Sequence, residues 1–297
     1  MKKIIIGILL ILFTVLSNSS CSKIGGPPPN CKITYPIDGQ IIDKCETIDI
    51  TVIVEGSGTE TGITINGDSK VMQHTSSNIT YQWNTNTEGI KEHTIKASCW
   101  DNNGKGSTDE IKVKIVAGAS ETFIDPRDLQ EYYIVDIGSQ TWFAQDLRYY
   151  TSDTSCIDNS GPNGGIIYNW NSAKIACPNG WHLPSDSEWK TLEKHIGMSD
   201  SDVDNVGWRG SIEGNEIKSR CGWGWMSDSG NGNDNYNFTA LPNNNELYGL
   251  GTTNIWWTNT EVEGFTVFTR GLLYSKGQIE RVNLPKDLKN SVRCVKD

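Results

Sequence analysis

The sequence predicts a multidomain protein in which an all-β sandwich precedes an α+β domain. Three observations carry this. Residues 31–117 alternate apolar and polar side chains in short runs broken by turns, which is the period of half-buried strands. At Ala117–Ala119 the composition changes, and nine of the eleven tryptophans lie beyond it. In that second part a capped amphipathic helix stands among glycine-rich loops and short strands, the pattern of an α+β domain.

The chain opens on an export segment. Lys2 and Lys3 precede the apolar run Ile4–Leu16, and small polar residues lead on to Cys21. A charged start, a short apolar core and small residues before the cut make residues 1–20 a signal peptide, because the run is too short to span a membrane comfortably. Ser19-Ser20-Cys21 resembles a bacterial lipoprotein processing site. Cys21 is then the lipidated residue, and residues 21–30 form a Gly/Pro-rich tether to the membrane. The expected location is the cell envelope, on the outer membrane, facing the surface or the periplasm.

The whole chain carries a net charge of −10, and without residues 1–20, which hold two lysines and no acid, it carries −12. An acidic chain with no basic run argues against nucleic acid and anionic headgroups as partners. Seven cysteines follow Cys21, at 31, 45, 99, 156, 177, 221 and 294. None forms Cys-x-x-Cys, so disulfides in an oxidising compartment are expected rather than zinc or thiol redox motifs. Seven is odd, which leaves Cys45, Cys156 or Cys221 unpaired within the chain.

In the sandwich, Ile48, Ile50, Val52 and Val54 form one alternating strand. Ile63 and Ile65, then Ile95, Ala97 and Cys99, then Ile111, Val113 and Ile115 form others. Pro36-Ile-Asp-Gly39, Gly56-Ser-Gly58, Asn66-Gly67 and Asp101-Asn-Asn-Gly104 punctuate them as turns. Tyr35–Gly39, Tyr81-Gln-Trp-Asn84, His93-Thr-Ile95 and Ala97–Gly104 resemble bacterial Ig-like domains of cell-surface proteins. Such domains usually act as spacers. Cys31 and Cys99 should point inward near one end of this sandwich and are expected to pair, with Cys45–Cys99 as the alternative.

In the second domain, residues 120–297, Tyr133–Gly138 and Gln140–Phe143 read as a hairpin and Tyr168–Ala176 as a short helix. Ser185-Asp-Ser-Glu188 is a capping box. After it, Trp189, Leu192 and Ile196 share a helical face until Gly197 stops the helix. Phe265–Phe268 and Leu272–Tyr274 read as short strands. Cys177, ahead of this helix, and Cys294, in the last strand, are expected to form a disulfide that closes the domain, worth roughly 3–5 kcal/mol for so long a loop.

Phe123–Asp128, Ile137-Gly-Ser-Gln-Thr-Trp142, Ala144–Leu147, Tyr168-Asn-Trp170, Cys177–Trp189, Phe238-Thr-Ala-Leu-Pro242, Trp257–Glu261 and Ser291–Val295 occur in that order. Together they resemble the Fibrobacter succinogenes major paralogous domain, a family found in lipoproteins of the Bacteroidetes and Fibrobacteres. The resemblance implies an exported domain similar in fold to C-type lectins and formylglycine-generating enzymes, and it implies no particular activity. Asp125–Asp128, Trp256-Trp257 and Cys221 are departures from the family pattern.

Ligand contacts are expected from aromatic surface and from an amide-rich loop. Trp142, Trp181 and Trp189 read as core. Trp223 and Trp225 lie in a flexible glycine-flanked run with less reason to be buried, and one of the tandem Trp256-Trp257 reads as exposed, since adjacent strand residues point to opposite faces. These four are expected to supply aromatic contact area. Met226–Asn245 supplies Asn and Asp side chains, Asn235 among them, for hydrogen bonds. Calcium there is a weak expectation, because the spacing fits no EF-hand and the lectin tripeptides Glu-Pro-Asn, Gln-Pro-Asp and Trp-Asn-Asp are absent. Enzyme chemistry is not expected. Gly-x-Ser-x-Gly and P-loop patterns are missing, and no two of the four histidines have metal-ligand spacing. The expected function is non-catalytic binding of an extracellular glycan or a surface or host protein. A structural or accessory subunit of a surface assembly is the alternative.

Overall fold

The structure, a computed structural model, describes residues 27–56, 60–73, 78–116, 118, 121–151, 157–158, 165–224, 229–245 and 249–297. The signal peptide, Cys21, Cys156 and Trp225 lie outside the described residues. The fold is mostly β, with three short α-helices among the described residues.

The first domain packs two sheets face to face. One contains β1 (Asn30–Tyr35), β3 (Thr47–Glu55) and β6 (Ile79–Asn84), in the order β1-β3-β6. The other contains β2 (Ile41–Asp43), β4 (Glu60–Ile65), β5 (Asp68–Gln73), β7 (Glu92–Trp100) and β8 (Gly106–Val116), in the order β2-β8-β7-β4-β5. The alternating residues named above fill the space between the sheets, joined by Ile33, Ile79 and Trp83.

The N-terminal segment changes sheets at its middle. β1 pairs antiparallel with β3, whereas β2 pairs parallel with β8. Both halves run alongside β8 in its own direction, from Cys31 N–H donating to Ser107 Oγ at 2.8 Å to Lys44 N–H donating to the Val116 carbonyl at 2.9 Å. The chain therefore enters the sandwich at one end and leaves it at the other, about 30 Å away at roughly 3.3 Å per strand residue.

The expected Cys31–Cys99 bridge is not formed. Both are buried thiols. They face each other from opposite sheets with the Ser107 hydroxyl bridging them, 3.5 Å from Cys99 Sγ and 3.7 Å from Cys31 Sγ. Burial pushes the Cys31 thiol up to about 11, so it carries little thiolate. The alternative Cys45–Cys99 pair is also overturned, because Cys45 is bonded to Cys221 with S–S 2.07 Å.

The second domain holds two further sheets. Its smaller sheet contains β9 (Glu121–Ile124), β10 (Glu131–Ile137), β11 (Gln140–Phe143), β14 (Trp181–His182) and β21 (Val295–Lys296), in the order β14-β21-β11-β10-β9. Its larger sheet follows the path β12-β13-β20-β17-β18-β19-β15. These strands are β12 (Ile157–Asp158), β13 (Ile166–Tyr168), β15 (Gly207–Arg209), β17 (Gly249–Glu261), β18 (Thr266–Leu273), β19 (Ile279–Pro285) and β20 (Asn290–Ser291). β16 (Asn243–Asn245) pairs with β17 off that path. The two short strands expected at 265–268 and 272–274 are one strand, β18, held throughout by β17 and β19.

Helices α1 (Trp170–Ala176), α2 (Asp186–His195) and α3 (Glu213–Ile217) complete the domain. Ser185 caps α2 by accepting from Glu188 N–H at 3.2 Å, while the Glu188 carboxylate accepts from Ser185 N–H at 2.7 Å. Cys177 and Cys294 form a disulfide, S–S 2.05 Å, tying the end of α1 to the last strand.

Among the described residues, contacts cross from one domain to the other at these places. The Cys45–Cys221 bond joins them covalently, Lys114 Nζ meets Glu131 Oε2 at 2.7 Å, and Val116 and Ile90 pack with Tyr133, Val135 and Ala144.

Candidate functional site

Among the described residues, the nominated tryptophans are part of the core. Trp223, Trp256 and Trp257 are 0%, 1% and 0% exposed. Their burial overturns the expectation that these three form an aromatic platform. The reason lies in the larger sheet, which carries a packed core on each face. Trp256 packs with Trp142, Trp189 and Phe238 under α2, while Trp257 packs with Trp170, Tyr168 and Val292 under α1. Adjacent residues can both be buried when both faces are covered. Each indole also bonds: Trp256 Nε1 donates to Asp146 Oδ1 at 2.8 Å, Trp257 Nε1 to the Tyr168 carbonyl at 2.6 Å, and Trp223 Nε1 to the Ala240 carbonyl at 2.8 Å.

The amide-rich loop serves its own backbone. Asn231 Oδ1 accepts from Trp223 N–H at 3.0 Å, and the exposed Asn235 donates to Glu216. Asp234 is buried and accepts from Thr239 N–H at 2.8 Å and Thr239 Oγ1 at 2.9 Å. Burial pushes its carboxyl up to about 6. Its oxygens hold a turn in which Asp234, Asn237 and Thr239 all have positive φ. Among the described residues, no three His, Cys, Asp or Glu side chains converge as metal ligands.

Buried charges lock α2 to one face of the larger sheet. Asp186 receives Arg281 Nε at 2.8 Å and Nη2 at 2.9 Å, and Glu193 receives Arg209 Nη2 at 2.8 Å and Arg270 Nε at 2.6 Å. Burial alone would raise the Asp186 carboxyl, but Arg281, Arg270 and Lys190 outweigh it and hold the group well below the usual carboxylate range. On the edge of the domain, His182 Nδ1 and Nε2 contact Asp297 Oδ1 at 2.6 Å and Glu188 Oε1 at 2.7 Å. Burial pulls the imidazole down, and the two carboxylates more than reverse that, so it titrates above its ordinary value. These groups build the scaffold.

One region differs. On the face away from α2, cross-strand pairing sets Ile255, Gly271, Glu280 and Trp208 in a single row across β17, β18, β19 and β15. Helix α1 and its neighbours cover the Trp257 half of this face. In the other half Ile255, Glu280, Trp208 and Val282 stay half-buried. Gly271 makes a dip in the row, and the Glu280 carboxylate lies over it: a Cβ on Gly271 would stand 3.1 Å from Glu280 Oε2. Burial pushes the Glu280 carboxyl above its ordinary value, with no compensating charge. This trough was invisible in the sequence, because its four residues come from four strands and meet only through register.

The fold and site define a β-rich architecture of two joined modules. Residues 29–97 match the bacterial Ig domain. Residues 135–296, more than half of the chain, match the Fibrobacter succinogenes major domain, and the chain belongs to that family. No curated protein matches it. Among solved structures it is similar to the endo-beta-1,4-mannanase of Thermotoga petrophila, at 18% identity over 30% of this chain and 20% of that one, TM-score 0.25. It is also similar to the CbhA fibronectin(III)-like modules of Clostridium thermocellum, at 20% identity over 30% of this chain and 46% of that one, TM-score 0.26. The chain thus spans less than half of either relative, and likenesses this slight carry no argument about fold or function.

Proposed function

We propose that this is a lipid-anchored, non-catalytic envelope protein in which the Ig-like sandwich is a spacer and the C-type-lectin-like second domain binds a partner protein. The observation that carries the reading is the path through the sandwich. Residues 30–44 and β8 run in one direction, so a tether at one end and a head at the other are held apart by the length of the sandwich. The Cys45–Cys221 bond then fixes the head on its stalk. Burial of Trp223, Trp256 and Trp257 removes three of the four tryptophans expected to stack on a sugar, which favours protein over glycan as the ligand.

Two experiments test this. Palmitate labelling of the cell-expressed chain should be lost in Cys21→Ser, and label that persists in that variant refutes the anchor. The mature chain should give no saturable signal on a glycan array, with or without calcium, and should cross-link to a distinct envelope or host protein. Binding to a defined glycan set overturns the choice of ligand. A disulfide-linked ladder of this chain on a non-reducing gel instead supports the assembly-subunit reading.

A further inference from the structure

The half-covered face of the larger sheet holds one charge without a counterpart. Among the described residues, no hydrogen-bond donor or cation pairs with the Glu280 carboxylate, and burial is the sole influence on its titration. The neighbouring cations are engaged elsewhere. Arg270 and Arg281 leave the sheet on the opposite face and meet Asp186, and Arg209 with Arg270 reaches Glu193. Lys276 reaches toward the Trp208 ring, 5.9 Å from its centroid. A half-buried carboxylate that gains no bond lowers stability, so packing alone favours glutamine or an apolar residue at this position.

What surrounds the carboxylate is shaped for a flat cation. Gly271 leaves the floor open beneath the carboxylate, Ile255 stands on its far side, and Trp208 lies beside Glu280 on the next strand, all in one row. We propose that this trough receives the guanidinium of an arginine side chain presented by a partner protein. The planar group forks onto the two Glu280 oxygens while stacking against the Trp208 indole, a geometry that ammonium reproduces poorly. The acidic balance of the chain, −10 overall, draws a basic partner to the same surface.

The inference rests on the partner-protein reading above and is tested separately from it. The full mature chain is titrated with a Gly-Gly-Arg-Gly-Gly peptide and followed by two-dimensional NMR of the indole N–H groups. The expected result is a saturable shift at Trp208, weakened about tenfold in Glu280→Gln and absent when citrulline replaces arginine. Glu280→Gln is expected to fold as stably as the parent or more so, which keeps the comparison clean, and Trp208→Leu supplies a second variant. Equal binding of the citrulline peptide, or an unchanged affinity in Glu280→Gln, overturns the proposal. If the cross-linked partner is retained undiminished by Glu280→Gln, the trough is refuted while the partner-protein reading stands.

Discussion

At the residue scale, Trp256 and Trp257 show how a local rule is bounded by its surroundings. Alternation assigns one of two adjacent strand residues to solvent only when one face of the sheet is wet, and here both faces are dry. Each change to alanine is therefore expected to cost about 3–5 kcal/mol, read by chemical denaturation. A loss below 1 kcal/mol in either variant contradicts the packing described. His182 offers a test of a different kind. Its folded-state pKa lies above the unfolded value, so its stabilisation is complete below about pH 6.5 and is lost as pH rises through the raised value. Stability should fall from pH 6 to pH 8, and His182→Gln should flatten that fall. An unchanged slope would place the titrating group elsewhere.

At the element scale, legibility followed locality. The α2 cap was readable because Ser185 and Glu188 stand three residues apart and bond to each other. Ser185→Ala is expected to lose about 1 kcal/mol, with the helix retained by circular dichroism and the midpoint of unfolding lowered. The strands of the sandwich were readable because each carries its own period. β18 was divided in two because Thr269, Arg270 and Gly271 look like a break. In fact Thr269 and Arg270 are fully buried by partners distant in sequence. Nothing local marks an arginine as buried when its carboxylate lies 84 residues away at Asp186.

At the scale of the whole molecule, the least legible feature is the bond between modules. Cys45 and Cys221 are separated by 176 residues and belong to different domains, so no spacing rule within either domain could pair them. Closing that loop is worth about 5 kcal/mol in the chain-entropy picture. A Cys45→Ser, Cys221→Ser double variant should keep both cores while becoming cleavable by protease between the two domains. Protection equal to that of the parent would show that the apolar junction around Val116 and Tyr133 suffices alone.

The same bond has a mechanical consequence. Pulled from its N-terminus against a held head, the chain transmits load along residues 30–44, which lie parallel to β8 and so resist in shear rather than by unzipping. At Cys45 the load crosses the disulfide to Cys221. Residues 46–220 then lie outside the line of force, and the stalk can lengthen only by releasing residues 30–44. In single-molecule extension the oxidised protein should yield no step longer than the release of residues 30–44, and adding reductant should release the rest of the sandwich.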